Sequence, residues 1–212
     1  AVIIALVRMR AVRSAAPAVG RGSARAQLAE GLRYAFGFGP IRSIILLLAV
    51  VSLVGVPYSV LMPVFATDVF HGGPHTLGFL MTAAGCGALV GALWLASRRS
   101  VRGLSRIIPI ATSIFGGGLI LFSFASVFWL ALPCLVITGF GFMVQMASSN
   151  TVIQTIVDDE KRGRVMSFYM MAFLGTAPFG SLIAGWLSEK IGAPHTLLIG
   201  GTGRTDLPTG DP

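Results

Sequence analysis

The sequence predicts an all-α integral membrane protein, on three observations. The first is segment length: Ser43–Ala66, Leu77–Ser97, Ile107–Phe124, Phe128–Val157 and Val165–Leu187 are apolar runs without a single Asp, Glu, Lys or Arg. A helix needs roughly 17–25 mostly apolar residues to cross about 30 Å of hydrocarbon, so each run is long enough to span. The second is composition. The chain is 54% hydrophobic and only 11% charged, with a mean hydropathy of +0.81. A soluble domain carries about 25% charged residues and has no core large enough to hide this much apolar surface. The third is the placement of charge. Arg8, Arg10, Arg13, Arg21, Arg25, Arg33 and Arg42 precede the first run, Arg98, Arg99, Arg102 and Arg106 follow the second, and Lys161, Arg162 and Arg164 follow the fourth. Connections 67–76 and 125–127 have no Lys or Arg, and 188–195 has only Lys190. This alternation is the positive-inside pattern. It makes the basic loops cytoplasmic and assigns the net charge of +8 to topology rather than to nucleic acid.

The elements follow in order. AVIIALV (1–7) is too short to span and reads as the end of a truncated transmembrane helix. Residues 8–42 form a cytoplasmic loop, Arg-, Ala- and Gly-rich to residue 22. From Ser23 the spacing of Leu28, Leu32, Ala35 and Phe36 predicts a short amphipathic helix on the membrane face. Residues 43–201 form the transmembrane bundle, with APHTLLIGG (193–201) opening a sixth apolar segment. Residues 202–212 are a polar tail. Such a chain reads as a fragment of a larger membrane protein.

Within the spans, Pro57 and Pro63 interrupt the first and Pro178 the fifth, each removing a backbone hydrogen bond and marking a kink. Gly87/Gly91, Gly180/Ala184 and Ser181/Gly185 make small-xxx-small ridges that let helices approach closely. Gly116–Gly118 is expected to be a flexible point. The fourth span carries Gln145, Ser148, Ser149, Asn150, Thr151, Gln154 and Thr155. Amides and hydroxyls in hydrocarbon need partners or water, so this face is expected to turn to the interior or to a wet cavity. Gln145, at mid-depth, Ser149 and Asn150 are candidate cavity residues, with Tyr58 of the first span as companion and Ser52 as a weaker one. Structural interhelical hydrogen bonds are the alternative reading.

No catalytic constellation is legible. His71 and His75 flank Gly72, Gly73 and Pro74, which suit a turn rather than a metal site. Cys86 and Cys134 fall inside spans and read as free thiols. The glycines from Gly85 to Gly91 lie in an apolar helix and lack the βαβ context of a dinucleotide loop. No cofactor or metal is implied.

Several stretches together resemble a known family: LAEGLRYAFGFGPIR (28–42), VPYSVLMPVFATDVF (56–70), LGFLMTAAGCGALVGALWLASRR (77–99), GFGFMVQMASSNTVIQTIVDDEKRGRVMSFY (139–169) and APFGSLIAGWLSEKIGAP (177–194). The chain is similar to the C-terminal half of a major facilitator superfamily transporter, in the drug-efflux and enterobactin-exporter-like branch. The resemblance implies a C-terminal helix bundle, helices seven to eleven plus a truncated helix twelve, in the bacterial inner (cell) membrane. It implies a missing N-terminal six-helix half as partner, a small-molecule substrate and export by alternating access. Gly91–Arg102 resembles the family's basic cytoplasmic motif without its Asp. Six of the seven residues from Asp158 to Arg164 are charged. The resemblance makes Arg98, Arg99, Arg102, Asp158, Asp159, Glu160, Arg162 and Arg164 candidates for a cytoplasmic gate. Gly175, Pro178, Gly180 and Gly185 resemble the Gly/Pro motif of exporters. A membrane subunit of an ATP-driven exporter and a non-transporting membrane fragment are the alternatives; an enzyme is disfavoured because no His, Asp or Glu lies inside a span.

Overall fold

The computed structural model describes residues 37–55, 57–98 and 103–202. The readings made for residues 1–7, for the amphipathic face Leu28, Leu32, Ala35 and Phe36, for Arg99 and Arg102, and for the tail beyond Thr202 lie outside the described residues. So does the side chain of Glu160.

Every regular element among the described residues is helical. The order is α1 (Gly39–Val54), α2 (Pro57–Val64) running on into a π-helical turn (Phe65–Val69), α3 (Pro74–Ala96), α4 (Leu104–Ser123), α5 (Phe128–Ile156), α6 (Asp159–Ile191) and α7 (Ala193–Thr202). Five stretches are long and apolar enough to cross a membrane: Gly39–Val69, Pro74–Ala96, Leu104–Ser123, Phe128–Ile156 and Lys161–Ile191. They match the five expected spans, most of them extended at one or both ends.

The extensions have local causes. Pro74 stands in the first turn of α3, where its missing N–H would be unpaired anyway, so the helix starts there rather than at Leu77. The charged knot proves to be helix rather than loop. Asp158 is the N-cap residue of α6, and the N–H groups of Lys161 and Arg162 donate to its carbonyl at 3.0 and 2.9 Å. Carboxylates at Asp158 and Asp159 thus sit at the positive end of the helix dipole. With 33 residues α6 is the longest helix described. At about 1.5 Å per residue it outreaches a hydrocarbon core of about 30 Å, so its charged first turn can stand in water.

Two prolines stand in the first span, Pro57 and Pro63. Gly55 caps α1, and Pro57 opens α2. Pro63 stays within α2, and the chain then widens into the π turn, closed by the Phe70 N–H donating to Phe65 at 3.0 Å. This lengthened span ends beyond Asp68, an exposed carboxylate that receives the Thr67 hydroxyl at 2.6 Å. The expectation that no span holds an acid is therefore corrected at the end of the first, and again at the end of the fifth, where Lys161–Ile191 includes Glu189. Pro178 is carried within α6.

α5 is the central post, packed along α3 on one side and α4 on the other, while α1 packs on α6 and α4 on α7. Glycines set the α3–α5 spacing. A Cβ on Gly87 would strike the Val136 carbonyl, one on Gly139 the Ala84 carbonyl, and one on Gly91 would come within 3.0 Å of the Phe140 carbonyl. The Gly87/Gly91 ridge is thus a true contact line. Gly180/Ala184 is another, Gly180 against Leu53 and Ala184 buried, whereas a Cβ on Gly185 would meet nothing within 4 Å. Gly118 lies tight against Thr138 and is a packing residue, not a flexible point.

The core is stacked in three layers. Leu61, Phe65, Phe122 and Leu135 anchor one end. Val51, Phe115 and Leu119 fill the middle, and Ile41, Leu48, Ile108, Ile153 and Tyr169 the other end. The exterior is apolar too: Leu174, Phe179, Leu182 and Trp186 on α6 and Phe79, Leu89 and Leu93 on α3 are all more than half exposed. Such a surface suits hydrocarbon or a further protein layer, not water.

Candidate functional site

The polar residues of α5 divide between two faces. Gln145, Ser148 and Ser149 are sealed inside, with 1%, 0% and 0% of their surface exposed. Asn150 and Gln154 lie about a third of a turn or more away, and Thr151 and Thr155, nearer the helix end, are likewise half-buried or exposed. On that second face the needs are met locally: Gln154 Nε2 donates to Asn150 Oδ1 at 2.8 Å, and Thr151 and Thr155 donate back to Ala147 and Thr151 at 2.9 and 2.8 Å. The periodicity of 3.6 residues separates 145, 148, 149 and 152 from 150 and 154. The expectation of a single polar face is corrected accordingly.

The buried face is the chemically unusual one. Gln145 Nε2 reaches Ser149 Oγ at 3.4 Å, a long hydrogen bond. Gln145 Oε1 and Ser148 Oγ are buried with no hydrogen-bond partner among the described residues. A buried polar atom in that condition costs about 1–3 kcal/mol. Native structures retain few of them, and each calls for a reason.

Tyr58, expected as the companion of Gln145, is half-buried and turns its ring to Phe115, edge-on with centroids 6.2 Å apart. Phe115 in turn meets Phe142 at 5.4 Å and Phe142 meets Phe173 at 6.4 Å. This aromatic row crosses the middle layer through α2, α4, α5 and α6, and Gln145 stands one turn along α5 from Phe142. Tyr58 and Gln145 therefore belong to one region, with rings rather than a hydrogen bond described between them.

Side chains to backbone tie α6 to its neighbours. The Ser52 hydroxyl donates to the Phe173 carbonyl at 2.5 Å, Thr176 to Ala172 at 2.6 Å and to Ala49 at 3.4 Å, and Tyr169 to the Met146 carbonyl at 3.2 Å. Ser52 thus serves as an interhelical link. Thr176 and Tyr169 escaped the sequence reading, because a hydroxyl in an apolar run has no signature of its partner until helices are placed.

At the charged ends, Asp159 pairs with Arg162 one turn on, at 2.5 Å. Arg162 Nε is buried without a partner. The Arg98 guanidinium lies 5.0 Å above the Trp94 ring. The contacts described for Arg98 and Asp159 are thus within their own helical ends. No group of three or more His, Cys, Asp or Glu suited to a metal occurs among the described residues. His71 takes a positive φ of 48° in the turn before α3.

Comparison with known proteins places this geometry. Residues 1–204 match the family described as transmembrane secretion effector. The multidrug efflux pump Tap of Mycobacterium tuberculosis is 31% identical over 176 residues, which is 81% of this chain and 41% of that protein. The staphyloferrin A transporter of Staphylococcus aureus is 26% identical over 160 residues, 76% of this chain and 40% of that protein. Macrolide efflux protein A of Streptococcus pyogenes is 26% identical over 150 residues, 69% of this chain and 36% of that protein. The chain therefore spans well under half the length of these relatives. Among solved structures, a variant of the Escherichia coli fucose:proton symporter superposes with a TM-score of 0.65 over 86% of this chain and 44% of its own, at 16% identity. That likeness concerns the fold. On the family match, this all-α multi-pass membrane chain belongs to the transmembrane secretion effectors, a family of transporters in the major facilitator superfamily.

Proposed function

We propose that the chain forms the C-terminal helix bundle of a secondary-active exporter of small organic molecules, of drug or siderophore type, in the bacterial inner membrane. The observation that carries this reading is the sealed polar cluster of α5 inside a family member similar to efflux proteins. Gln145 Oε1 and Ser148 Oγ, buried and unpartnered, are costly in a bundle that merely holds itself together. They are useful where a polar substrate group or a rearranged helix supplies the missing hydrogen bond. Gln145 and Ser149 are the cavity residues of this proposal, with Tyr58 and its aromatic row as an apolar wall, and Asn150 drops out of the candidate cavity because it lies on the other face.

A bundle of this kind works against a second six-helix half, rocking about a site between them. The exposure of α3 and α6 supports such a partner. Only 22% and 11% of their apolar windows are buried, against 33–50% for the other spans. Following the positive-inside pattern, the loop after α3 and the start of α6 face the cytoplasm. Arg98, Asp158, Asp159, Arg162 and Arg164 then lie at the inward mouth and act there as gate charges, and Arg99, Arg102 and Glu160 are proposed for the same role from their sequence positions alone. Pro57, Pro63 and Pro178 are the points at which the helices bend as the halves move.

The test is reconstitution. The chain is co-produced with a matching six-helix N-terminal half in cells lacking their own efflux pumps, and the accumulation of a labelled macrolide and of a ferric siderophore is followed. Accumulation should fall with both halves present and recover in Gln145→Leu. Accumulation unchanged with both halves correctly inserted would overturn the proposal.

A further inference from the structure

We propose that the groove between the starts of α1 and α4 and the end of α5 is a binding site for an anionic phospholipid. The groove has a volume of about 260 Å³. Ile44 and Leu47 of α1, Ile108 of α4 and Val152 of α5 make its apolar walls, and Ser43 and Ser105 bring hydroxyls to it. Leu47 also packs against the middle core layer, so the slot leads inward from the bundle end toward the centre.

Its polarity is graded along the helix axes. The deep part is aliphatic. The mouth is formed by the first turns of α1 and α4, which both begin on the side that the positive-inside pattern assigns to the cytoplasm. Each first turn carries an exposed arginine beside its serine, Arg42 next to Ser43 and Arg106 next to Ser105. Neither helix contains an Asp or Glu. The positive ends of these two helix dipoles face the mouth, and the negative end of α5 lies beside them, with Asp158 two residues beyond Ile156.

An apolar slot lined at its mouth by two serine hydroxyls, each with an exposed arginine as its helix neighbour, fits an acyl chain joined to a phosphate. Arginine forks suit phosphate oxygens, and the serine hydroxyls can donate to the same group. The site lies at the depth where an anionic leaflet presents that combination, and basic pockets between helices on that side are suited to such headgroups. The ligand is the lipid rather than free phosphate, because the aliphatic depth of the slot recognises nothing in an inorganic ion.

This inference rests on the chain being a membrane bundle and not on which substrate it exports. The purified full chain in neutral-detergent micelles is titrated with phosphatidylglycerol and with phosphatidylcholine of identical acyl chains, and retained lipid is counted by native mass spectrometry. Phosphatidylglycerol should be retained preferentially, by roughly fivefold for each arginine at the mouth. Arg42→Gln with Arg106→Gln should equalise the two lipids. Ser43→Phe, which plugs the slot from one wall, should reduce retention of both, and Ser105→Phe repeats that test from the other wall. Arg98→Gln, outside the groove, should change nothing. Equal retention of the two lipids by the unmodified chain overturns the site at once. A preference that survives loss of both arginines, an equal loss in Arg98→Gln, or full competition by inorganic phosphate also overturns it. Micelles have no inner or outer side, so these outcomes are independent of the membrane orientation and of transport.

Discussion

Gly180 of α6 rests against the backbone carbonyl of Leu53 in α1, so closely that a Cβ at position 180 would overlap the Leu53 oxygen. Leu53 stands four residues before Pro57, whose ring nitrogen has no hydrogen to offer that carbonyl. The proline that splits the first span and the glycine that lets α6 approach are thus two halves of one contact. Ser52 and Thr176 reinforce it with hydrogen bonds to the opposite backbones. Gly180→Leu should therefore destabilise the bundle by about 1–3 kcal/mol, the usual cost of forcing extra atoms into a packed interface. Gly185→Leu, five residues along the same helix and facing open space, should stay within about 0.5 kcal/mol of the parent. Thermal unfolding in detergent compares the two. Equal effects would show that the α1–α6 contact is not the determinant.

Gln145→Leu separates the functional and structural readings of the buried amide. It removes an unsatisfied oxygen and fills a similar volume, so the unfolding midpoint should hold or rise. Substrate binding by the assembled transporter should fall at least tenfold. A lower midpoint with binding per folded molecule unchanged would mark Gln145 as an interhelical strut.

Charge pairing at the start of α6 should be local. Asp159→Asn and Arg162→Gln are expected to be non-additive by about 0.3–0.5 kcal/mol, the range of exposed pairs one helical turn apart. Asp159 is 84% exposed and Arg162 43%, so the coupling should fade with salt as the Debye length shrinks below about 8 Å. Asp159→Asn combined with Arg98→Gln should be additive, with Arg98 held over Trp94. A double-mutant cycle on unfolding and on transport rate measures both. Coupling of Asp159 to Arg98 larger than to Arg162 would instead establish a latch between the two loops.

Orientation is tested with single cysteines in a chain lacking Cys86 and Cys134. Ser97→Cys and Gly163→Cys are exposed positions in the basic regions, and Gly73→Cys lies in the turn before α3. In intact cells an impermeant thiol reagent should label only position 73. Labelling at 163 with protection at 73 would invert the bundle and, with it, the gate.

Span number, span order and the alternation of charged ends were legible in the sequence, because each depends on local facts: the length of an apolar run, a proline, the sign of a loop. The resemblance to transporters was legible for the same reason, through unbroken strings such as GFGFMVQMASSNTVIQ. Tertiary structure decided what depends on distance across the bundle. It sorted the polar residues of α5 into a sealed face at Gln145 and a self-satisfied face at Asn150, which a list of polar residues does not distinguish. It turned Gly118 from a point of freedom into a contact with Thr138, and left Gly185 without a neighbour while Gly180 touches Leu53. It also moved the knot at Asp158 from a loop onto the first turn of α6, where carboxylates meet the positive end of a helix. In each case the cause is the same: a side chain's role in a bilayer is fixed by which helix stands opposite, and that is a property of packing rather than of the residue.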